Sequence, residues 1–219
     1  MIIILNKRVL ISLGGTFEPI DSVRGITNKS SGKMGLALAK QAYILGADVT
    51  LVVAHVSVEI PSIFDIVHVE TSSEMNNVIC DIVSDFDIFI STAAVSDFEV
   101  VGSKNKKIDS NSSLSINLKP TTKIIRQIKK FNPNIFLVGF KAEFNVSHEE
   151  MVSCAKKQIN DADTDLVVVN DISKDGCNFG SDNNEVLLVD RDVVSLPFNT
   201  KDEIAKNIIN IISEKISCR

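Results

Sequence analysis

The sequence has little that would bind a metal ion. Its four cysteines are scattered, with no C-x-x-C pair, and its three histidines are isolated from one another. Zinc sites in proteins draw on closely spaced cysteine and histidine ligands. A zinc site is therefore not expected, and these residues are interpreted as ordinary core or surface positions. The ligands of any other metal ion stay unknown at this point.

Excess positive charge and long apolar runs are also missing. The net charge is −5, whereas binding along a nucleic-acid backbone needs a basic surface. No apolar run reaches the roughly 20 residues of a membrane-spanning helix, and the apolar start at 1–5 is too short for a signal peptide. We therefore expect no nucleic-acid partner, no membrane partner and a cytoplasmic location, where disulfides are rare.

Two common nucleotide-binding motifs are absent. The dinucleotide fingerprint G-x-G-x-x-G fails because Gly14-Gly15 is followed by no glycine before Gly25. The P-loop pattern G-x-x-x-x-G-K-[ST] fails because Met34 follows Gly32-Lys33. A standard dehydrogenase and a P-loop NTPase are both disfavoured, whereas a nucleotide site of another kind stays open.

The order of apolar and amphipathic segments predicts an α/β fold. Hydrophobic residues make up 44% of the chain, and short buried strands alternate with helices, which is typical of a three-layer, Rossmann-like, mostly parallel sheet with helices on both faces. The alternating segments 114–118 and 185–196 predict a small antiparallel element, either a subdomain or a dimer contact. With no repeat or linker, 1–219 is interpreted as a single domain. Strands are predicted at 8–13, 48–54, 66–69, 87–91, 135–140 and 165–170, and helices at 35–45, 71–84, 120–130, 147–160 and 200–216.

The segment from Gly14 to Gly35 is the connection on which the functional interpretation depends. Loops between a strand and a helix usually have about two to six residues, and longer ones usually carry function. Ser30-Ser31-Gly32 stands where the next helix begins, and the free N–H groups of a helix start suit a phosphate. We expect this segment to hold a phosphorylated substrate.

Four residues fall directly after predicted strands and are expected to converge on one site. They are Gly14, Ala93, Lys141 and Asn170, and ligands of open α/β sheets lie at the carboxyl ends of the strands. The small residues at 92–97 indicate either a ligand lying against the backbone or close packing of a helix on the sheet. The residues alone do not separate these two interpretations.

Several motifs together resemble the phosphopantothenate–cysteine ligase (phosphopantothenoylcysteine synthetase) family. Any one of them is weak, but they occur in the family's order and span nearly the whole chain. The motifs are Gly15-Thr16-x-Glu18-Pro19-Ile20-Asp21-x-Val23-Arg24, Ile26 to Gly35 (ITNKSSGKMG), Ala93-Ala94-Val95-Ser96-Asp97, Lys104-Asn105-Lys106-Lys107, Val138 to Glu143 (VGFKAE), Asn170-Asp171-Ile172-Ser173 and Phe179-Gly180-Ser181-Asp182-Asn183.

The resemblance implies a reaction in two halves. The carboxylate of 4′-phosphopantothenate attacks the α-phosphorus of CTP or ATP, which releases pyrophosphate and leaves an acyl-nucleotide (acyl-CMP or acyl-AMP). The amine of L-cysteine then takes the acyl group and releases the nucleoside monophosphate. Bacterial members generally use CTP and animal members ATP, so CTP is favoured here. The resemblance further implies a Mg²⁺ requirement, a homodimer and a stand-alone synthetase that lacks the fused decarboxylase, so no flavin is expected.

The resemblance also assigns roles to individual residues. Asn28 and Lys104 are the expected catalytic residues: Asn28 would stabilise the charge that develops as cysteine attacks, and Lys104 would neutralise the triphosphate. Asn28 is expected to bind phosphopantothenate as well, and Lys104 the nucleotide. The other phosphopantothenate residues are Arg24, Ser30, Ser31 and Gly32, and the other nucleotide residues are Gly14, Gly15, Ala93, Ala94, Asp97, Thr122, Lys123, Ile124, Ile125, Phe140 and Lys141.

Alternatives stay open at several of these positions. A turn asparagine, a solvated lysine cluster and a core phenylalanine are the plain structural interpretations of Asn28, 104–107 and Phe140. Lys106 is the alternative to Lys104, because the interval from Asp97 is short for the family. The two nucleotide-contacting lysines of the family are not matched, so the preferred base is not fixed. Other functions that stay open are a nucleotide-binding module, an NAD(P)-dependent reductase and a subunit that needs a partner protein.

Overall fold

The computed structural model describes residues 4–110 and 113–217. The strands within these ranges are β1 (Arg8–Leu13), β2 (Phe17–Pro19), β3 (Gly25–Thr27), β4 (Asp48–Val53), β5 (Asp65–His68), β6 (Ile88–Ser91), β7 (Phe98–Val100), β8 (Leu118–Pro120), β9 (Phe136–Glu143), β10 (Leu166–Asp171), β11 (Asn183–Val189) and β12 (Val193–Thr200). The helices are α1 (Lys33–Ile44), α2 (Ser72–Ile82), α3 (Ile128–Phe131), α4 (His148–Ala162) and α5 (Lys201–Ser217).

Eight strands form one sheet in the order β12-β11-β10-β9-β6-β1-β4-β5. The strands from β10 to β5 are all parallel, and only β11 and β12 join antiparallel. From β1 the chain builds outward first through β4 and β5, and then on the other side through β6, β9 and β10. The strand order therefore reverses between β1 and β6, which is where such sheets place their ligands. The predicted mostly parallel fold is confirmed.

Helices cover both faces of this sheet because successive strand residues point to opposite sides. Ile11 packs in the cluster formed with α1 and α5, while its neighbour Leu10 packs in the cluster that contains Met75 and Ile79 of α2. A third cluster joins α4 to β10 and β11. The central strands are thus buried on both faces, as their unbroken apolar sequence predicts.

The predicted helix boundaries are set by local capping. The side chains of Thr71 and Ser147 each accept a hydrogen bond from the backbone N–H three residues later. The carboxylates of Glu74 and Glu150 in turn accept the backbone N–H of Thr71 and Ser147, which completes a capping box at each helix start. After α1, Gly46 takes a positive φ of 81°, the conformation that favours glycine just past a helix end.

Three predictions about the smaller elements are wrong in detail. The connection at 14–35 contains an antiparallel hairpin, β2–β3, rather than an open loop. The strand predicted at 114–118 lies further along the chain, as β8, which begins at Leu118 and pairs with β7. The segment at 185–196 is a hairpin, but it extends the main sheet instead of forming a subdomain.

The helix predicted at 120–130 is also wrong. Thr121 donates its N–H to the carbonyl oxygen of Asp97 at 3.0 Å and its hydroxyl to that of Ser96 at 2.6 Å. These bonds hold the start of the segment extended beside the loop after β6. Only a short 3-10 turn, Ile124–Arg126, and the single turn of α3 follow.

None of the helices within the described ranges is both long enough and apolar enough to cross a membrane.

Candidate functional site

A cavity of about 540 Å³ lies at the carboxyl edge of the sheet, over the reversal between β1 and β6. Its walls come from segments that are far apart in sequence but end at the same sheet edge. The lining residues are 30–35, 91–97, 121–126, 140–143, Cys154, Lys157, Gln158, Asp161, Ala162, Asn170, Cys177, Asn178, Phe179, Asn184 and Lys201.

Gly14 and Gly15 support the floor of this cavity instead of lining it. The carbonyl oxygen of Gly14 accepts the N–H of Ala94 at 2.8 Å, and Gly15 forms bridges to both His55 and Ala94. Gly14 has a φ of 90°, and a Cβ at this position would lie 2.5 Å from the carbonyl oxygen of His55. Only glycine lets the chain pass so closely between the ends of two strands.

One end of the cavity carries the beginning of α1 and two lysines. Gly32 takes a φ of 78° directly before the helix, and the buried Ser31 donates its hydroxyl to the carbonyl oxygen of Phe179 at 2.7 Å. The ammonium group of Lys33 lies 2.6 Å from the Asp182 carboxylate. Lys201 is 7% exposed and donates to backbone carbonyl groups of the same 179–181 segment. Burial, together with the charge of Lys33, lowers the pKa of Lys201.

The opposite end of the cavity is lined by paired charges and one neutral amide. Asp97 forms an ion pair with Lys123, and Arg126 forms one with Asp161. The Gln158 side chain lies against the backbone of β9 at Gly139. Its Nε2 is a buried polar atom without a protein partner among the described residues. Each of these two carboxylates has a cation beside it, as Asp182 has at the other end. The two ends differ because one carries the start of a helix and the other a buried amide without a described partner.

Asn28 does not line the cavity, but it contacts a residue that does. Its Nδ2 donates a hydrogen bond to the carbonyl oxygen of Ala94 at 3.0 Å, and it precedes Ser30 in the chain by two residues. Asn28 itself is exposed. An amide donor is thus fixed beside the small-residue segment that lines the floor.

Five predicted site residues lie outside the cavity lining: Gly14, Gly15 and Asn28, described above, and Arg24 and Lys104. The guanidinium group of Arg24 contacts the buried Asp21 and donates to the carbonyl oxygen of Ile108 at 2.9 Å. Lys104 is exposed, and its N–H donates to the carbonyl oxygen of Ile20 at 3.1 Å. Arg24 thus pairs with Asp21 within the β2–β3 hairpin, and its contact with phosphopantothenate stays a prediction.

The other predicted residues do come together. The cavity lining includes Ser30, Ser31, Gly32, Ala93, Ala94, Asp97, Thr122, Lys123, Ile124, Ile125, Phe140 and Lys141. Two important lining residues were not assigned from the sequence. Lys33 could have been found, because it lies inside the ITNKSSGKMG motif. Lys201 could not, since it begins the last helix and no local pattern connects it to the site.

The remaining reactive side chains of the cavity do not form a second catalytic centre. Burial raises the pKa of the Cys154 and Cys177 thiols, and a protonated thiol is a poor nucleophile. Within residues 4–110 and 113–217, no group of three or more histidine, cysteine, aspartate or glutamate side chains is placed to hold a metal ion. What the cavity offers is backbone N–H groups, lysines and amides, which suit anions and nucleotides.

The fold and site together define a class: an open α/β protein that binds a ligand at the reversal of a mostly parallel sheet, with a glycine- and serine-containing loop in place of the dinucleotide fingerprint. Residues 4–216 match the family described as the DNA/pantothenate metabolism flavoprotein C-terminal domain, and the chain belongs to that family. This finding confirms the resemblance drawn from the sequence motifs.

Individual relatives agree with this assignment. The chain is 45% identical over 215 residues to the coenzyme A biosynthesis bifunctional protein CoaBC of Thermococcus kodakarensis, a match that covers 96% of this chain and 52% of the relative. The chain thus spans about half the length of the curated relatives it matches.

Two solved structures share the whole fold. The crystal structure of the C-terminal domain of coenzyme A biosynthesis bifunctional protein CoaBC matches with a TM-score of 0.81 and 31% identity, over 99% of this chain and all of that one. The DNA/pantothenate metabolism flavoprotein of Streptococcus pneumoniae matches with a TM-score of 0.85 and 27% identity, over 95% and 99% of the two chains.

Proposed function

We propose that this chain joins 4′-phosphopantothenate to L-cysteine through an acyl-nucleotide, as a ligase of coenzyme A biosynthesis. The observation that carries the proposal is the position of Asn28. It leads into the Ser30-Ser31-Gly32 segment expected to hold phosphopantothenate, and it is hydrogen-bonded to Ala94 in the segment expected to hold the nucleotide. One amide therefore stands where an acyl group shared by both substrates would lie.

In the first half-reaction, a carboxylate oxygen of 4′-phosphopantothenate forms a bond to the α-phosphorus of the nucleoside triphosphate. The bond from that phosphorus to the bridging oxygen of pyrophosphate breaks, and its electron pair leaves with pyrophosphate. No proton needs to move, but two anions must approach each other. Lys104, or Lys106 in its place, would reduce this repulsion by neutralising the phosphates. Mg²⁺ bound to the triphosphate would supply further charge neutralisation.

In the second half-reaction, the amine nitrogen of L-cysteine forms a bond to the acyl carbon. The bond from that carbon to the phosphate oxygen breaks, the nucleoside monophosphate leaves, and the amine loses a proton. Negative charge develops on the acyl oxygen, and the Asn28 amide is the donor expected to stabilise it. Neither half-reaction moves electrons between substrates, so the proposed reaction needs no flavin.

The lining of the cavity supports one orientation of the substrates. The end with Lys33 and Lys201 suits a phosphate group, and the start of α1 adds backbone N–H groups there. The end where Ile125 and the neutral Gln158 amide lie against Gly139 of β9 suits a nucleobase. CTP is our first choice of nucleotide over ATP because the chain resembles microbial members of the family. Mg²⁺ is proposed to arrive with the triphosphate, since this ion commonly keeps phosphate and water ligands.

A homodimer is part of the proposal. The β7–β8 ribbon, its turn and the segment before β8 leave several apolar side chains exposed. An exposed apolar patch on a small protein commonly marks an interaction surface, and the relevant segment is the one whose alternation suggested a dimer contact. The patch comprises Phe98, Val101, Leu114, Ile116 and Leu118.

The cytoplasm is the location we propose. Cys80, Cys154 and Cys177, the cysteines that the structure describes, are all free thiols. Free thiols persist in reducing compartments.

The test is turnover by the purified chain with 4′-phosphopantothenate, L-cysteine, Mg²⁺ and each of the four nucleoside triphosphates in separate reactions. We expect equal amounts of pyrophosphate and nucleoside monophosphate, with 4′-phosphopantothenoylcysteine as the product and CTP as the best nucleotide. Absence of product with all four would reject the ligase. Binding of NAD(P)H in a fluorescence titration would instead favour a reductase, and activity restored only by an added protein would favour a dependent subunit.

A further inference from the structure

The segment Lys104–Lys107, called the lysine loop below, is attached at both ends to the tip of the β2–β3 hairpin. The N–H of Lys104 donates to the carbonyl oxygen of Ile20 at 3.1 Å. Ile108, which directly follows the lysine loop, donates its N–H to the Asp21 carboxylate at 3.0 Å and accepts a hydrogen bond from the Arg24 guanidinium at 2.9 Å. Both backbone groups of Ile108 are therefore held by one aspartate–arginine pair.

Asp21 provides the buried carboxylate of this attachment. Its side chain is fully inaccessible to solvent, and its carboxylate accepts hydrogen bonds from the N–H groups of Val23 and Arg24, from the Arg24 guanidinium and from Ile108. A buried carboxylate needs such partners to remain charged. The bonds to Val23 and Arg24 are local to the hairpin turn, whereas the bond to Ile108 reaches across 87 positions of the chain.

Little else holds the lysine loop. Its residues are all exposed, and none of the ion pairs found within the described ranges involves Lys104, Lys106 or Lys107. Just before it, a Cβ placed on Gly102 would meet no atom within 4 Å. The direction in which these lysines extend is thus set mainly by the contacts at Lys104 and Ile108.

The hairpin itself is fixed to the rim of the cavity. The N–H of Phe17 donates to the carbonyl oxygen of Glu70 at 2.8 Å, and the buried Glu18 carboxylate accepts the N–H of Ser72 at the start of α2. At its other end Thr16 donates to the carbonyl oxygen of Ala94, and β3 runs directly into Asn28. Hydrogen bonds therefore connect the cavity lining at Ala94 through the hairpin to the lysine loop.

We propose that Asp21 and Arg24 are positioning residues that hold the lysine loop on the hairpin, so that Lys104 meets the triphosphate in a fixed orientation. The effect on Lys104 and the triphosphate rests on the proposed ligase function. It gives Arg24 a task within its own chain that differs from the direct substrate contact expected from the sequence. Neither residue needs to touch a substrate, because each acts through the backbone of Ile108.

The first test is limited proteolysis with trypsin, which does not depend on activity. Trypsin cleaves after lysine, and a released loop opens more often than a held one. We expect Arg24→Lys, Arg24→Gln and Asp21→Asn to be cut within 104–107 about tenfold faster than the wild-type chain. Lys119→Met is the matched control, because it removes the Lys119–Glu99 ion pair of the neighbouring β7–β8 ribbon without touching Ile108. Unchanged cleavage in Arg24→Gln would overturn the proposal.

The second test separates positioning from general structural damage. We expect Asp21→Asn to slow pyrophosphate release about tenfold or more, as Lys104→Ala does, while the KM for L-cysteine stays within about twofold. Because the aspartate acts through the lysine, the double variant should be no slower than Lys104→Ala alone. Multiplied losses in the double variant would show that Asp21 acts independently and would refute the proposal.

Two controls keep these tests interpretable. Thermal unfolding checks that each variant is folded. If Asp21→Asn is not, Arg24→Lys carries the test, since it keeps a cation beside Asp21 but loses the forked contact to Ile108. A wild-type chain that forms no product would reject the ligase and the role of Lys104 together. In that case the trypsin experiment would still decide whether the aspartate–arginine pair holds the lysine loop.

Discussion

Replacing Asn28 by aspartate should separate the two half-reactions. A carboxylate cannot donate to the developing oxyanion, and loss of one such donor typically slows a reaction about 10²- to 10³-fold. We expect Asn28→Asp to accumulate the acyl-nucleotide while amide formation is blocked, as measured by quenched-flow chromatography of the reaction mixture. Thr27→Val is the neighbouring control, because the partners of the Thr27 hydroxyl among the described residues are backbone carbonyl groups. Normal turnover in Asn28→Asp would remove Asn28 from its proposed role.

Asn28 also illustrates how far single side chains could be predicted. The sequence motif singled it out, and its amide lies 3.0 Å from the carbonyl oxygen of Ala94, a residue predicted for the same site. Lys201 shows the limit of such prediction. Its side chain enters the cavity because the last helix packs beside α1, and no property of residues 198–204 indicates that contact. Local motifs identify site residues near the strand ends, whereas contributions from distant segments need the tertiary fold.

Asp21 should make stability sensitive to acid. The Arg24 guanidinium and the Ile108 N–H hold the pKa of its carboxyl group well below the usual range. In the unfolded chain this group takes up a proton near pH 4, whereas the folded protein resists doing so. The free energy of unfolding should therefore fall as the pH drops below about 4. We expect Asp21→Asn to flatten this part of the profile in urea titrations, and the exposed Asp48→Asn to leave it unchanged. An equally steep acid profile in both variants would contradict the assignment.

Among the elements, the long buried strands and the capped helices were predictable and the short ribbons were not. The strand β1 and the helix α4 carry clear signals, a nearly unbroken apolar run and a complete capping box. The strands β2, β3, β7 and β8 have three residues each, which is too short for alternation to be recognised. Their pairing is set by contacts with other segments, such as the bond from Thr121 to Asp97.

The packing of α1 against the sheet offers a prediction at this scale. A Cβ on Gly35 would lie 2.5 Å from Thr92 Oγ1 and 2.6 Å from Leu13 Cβ. Gly35→Ala gains about 1 kcal/mol in helix propensity, but overpacking a core usually costs about 1–3 kcal/mol. We expect a net loss of about 1 kcal/mol in the free energy of unfolding by urea titration. The exposed Lys40→Ala on the same helix should change it by less than about 0.5 kcal/mol. A more stable Gly35→Ala variant would show that α1 can move away from β1.

For the whole molecule, the sequence predicts the parallel sheet but not the order of its strands. Alternation of strands and helices implies parallel neighbours, yet the same alternation fits several strand orders. The observed order puts β1 between β6 and β4, with the reversal between β1 and β6. That arrangement is what brings Ala93 and Ser30, which lie 63 positions apart in the sequence, to one cavity.

Self-association should depend on the exposed apolar side chains of the β7–β8 ribbon. Phe98 and Leu118 are 51% and 45% exposed in the single chain, and burying them against a second copy would remove apolar surface from water. We expect Phe98→Asp and Leu118→Lys to shift a dimer towards monomer by at least tenfold in dissociation constant, as measured by sedimentation equilibrium. Phe144→Asp, which changes an even more exposed phenylalanine elsewhere, should leave the dimer intact. A wild-type chain that is monomeric at high concentration would exclude this interface.

The contacts between the start of α1 and the 179–182 segment have a consequence for biosynthesis. Ser31 and Lys33 bind partners 147 to 149 positions later in the chain. During translation, the first helix leaves the ribosome long before those partners exist. A nascent chain that ends before Phe179 thus lacks the groups that fix this corner of the molecule. This corner of the molecule can form only after the 179–182 segment has been made.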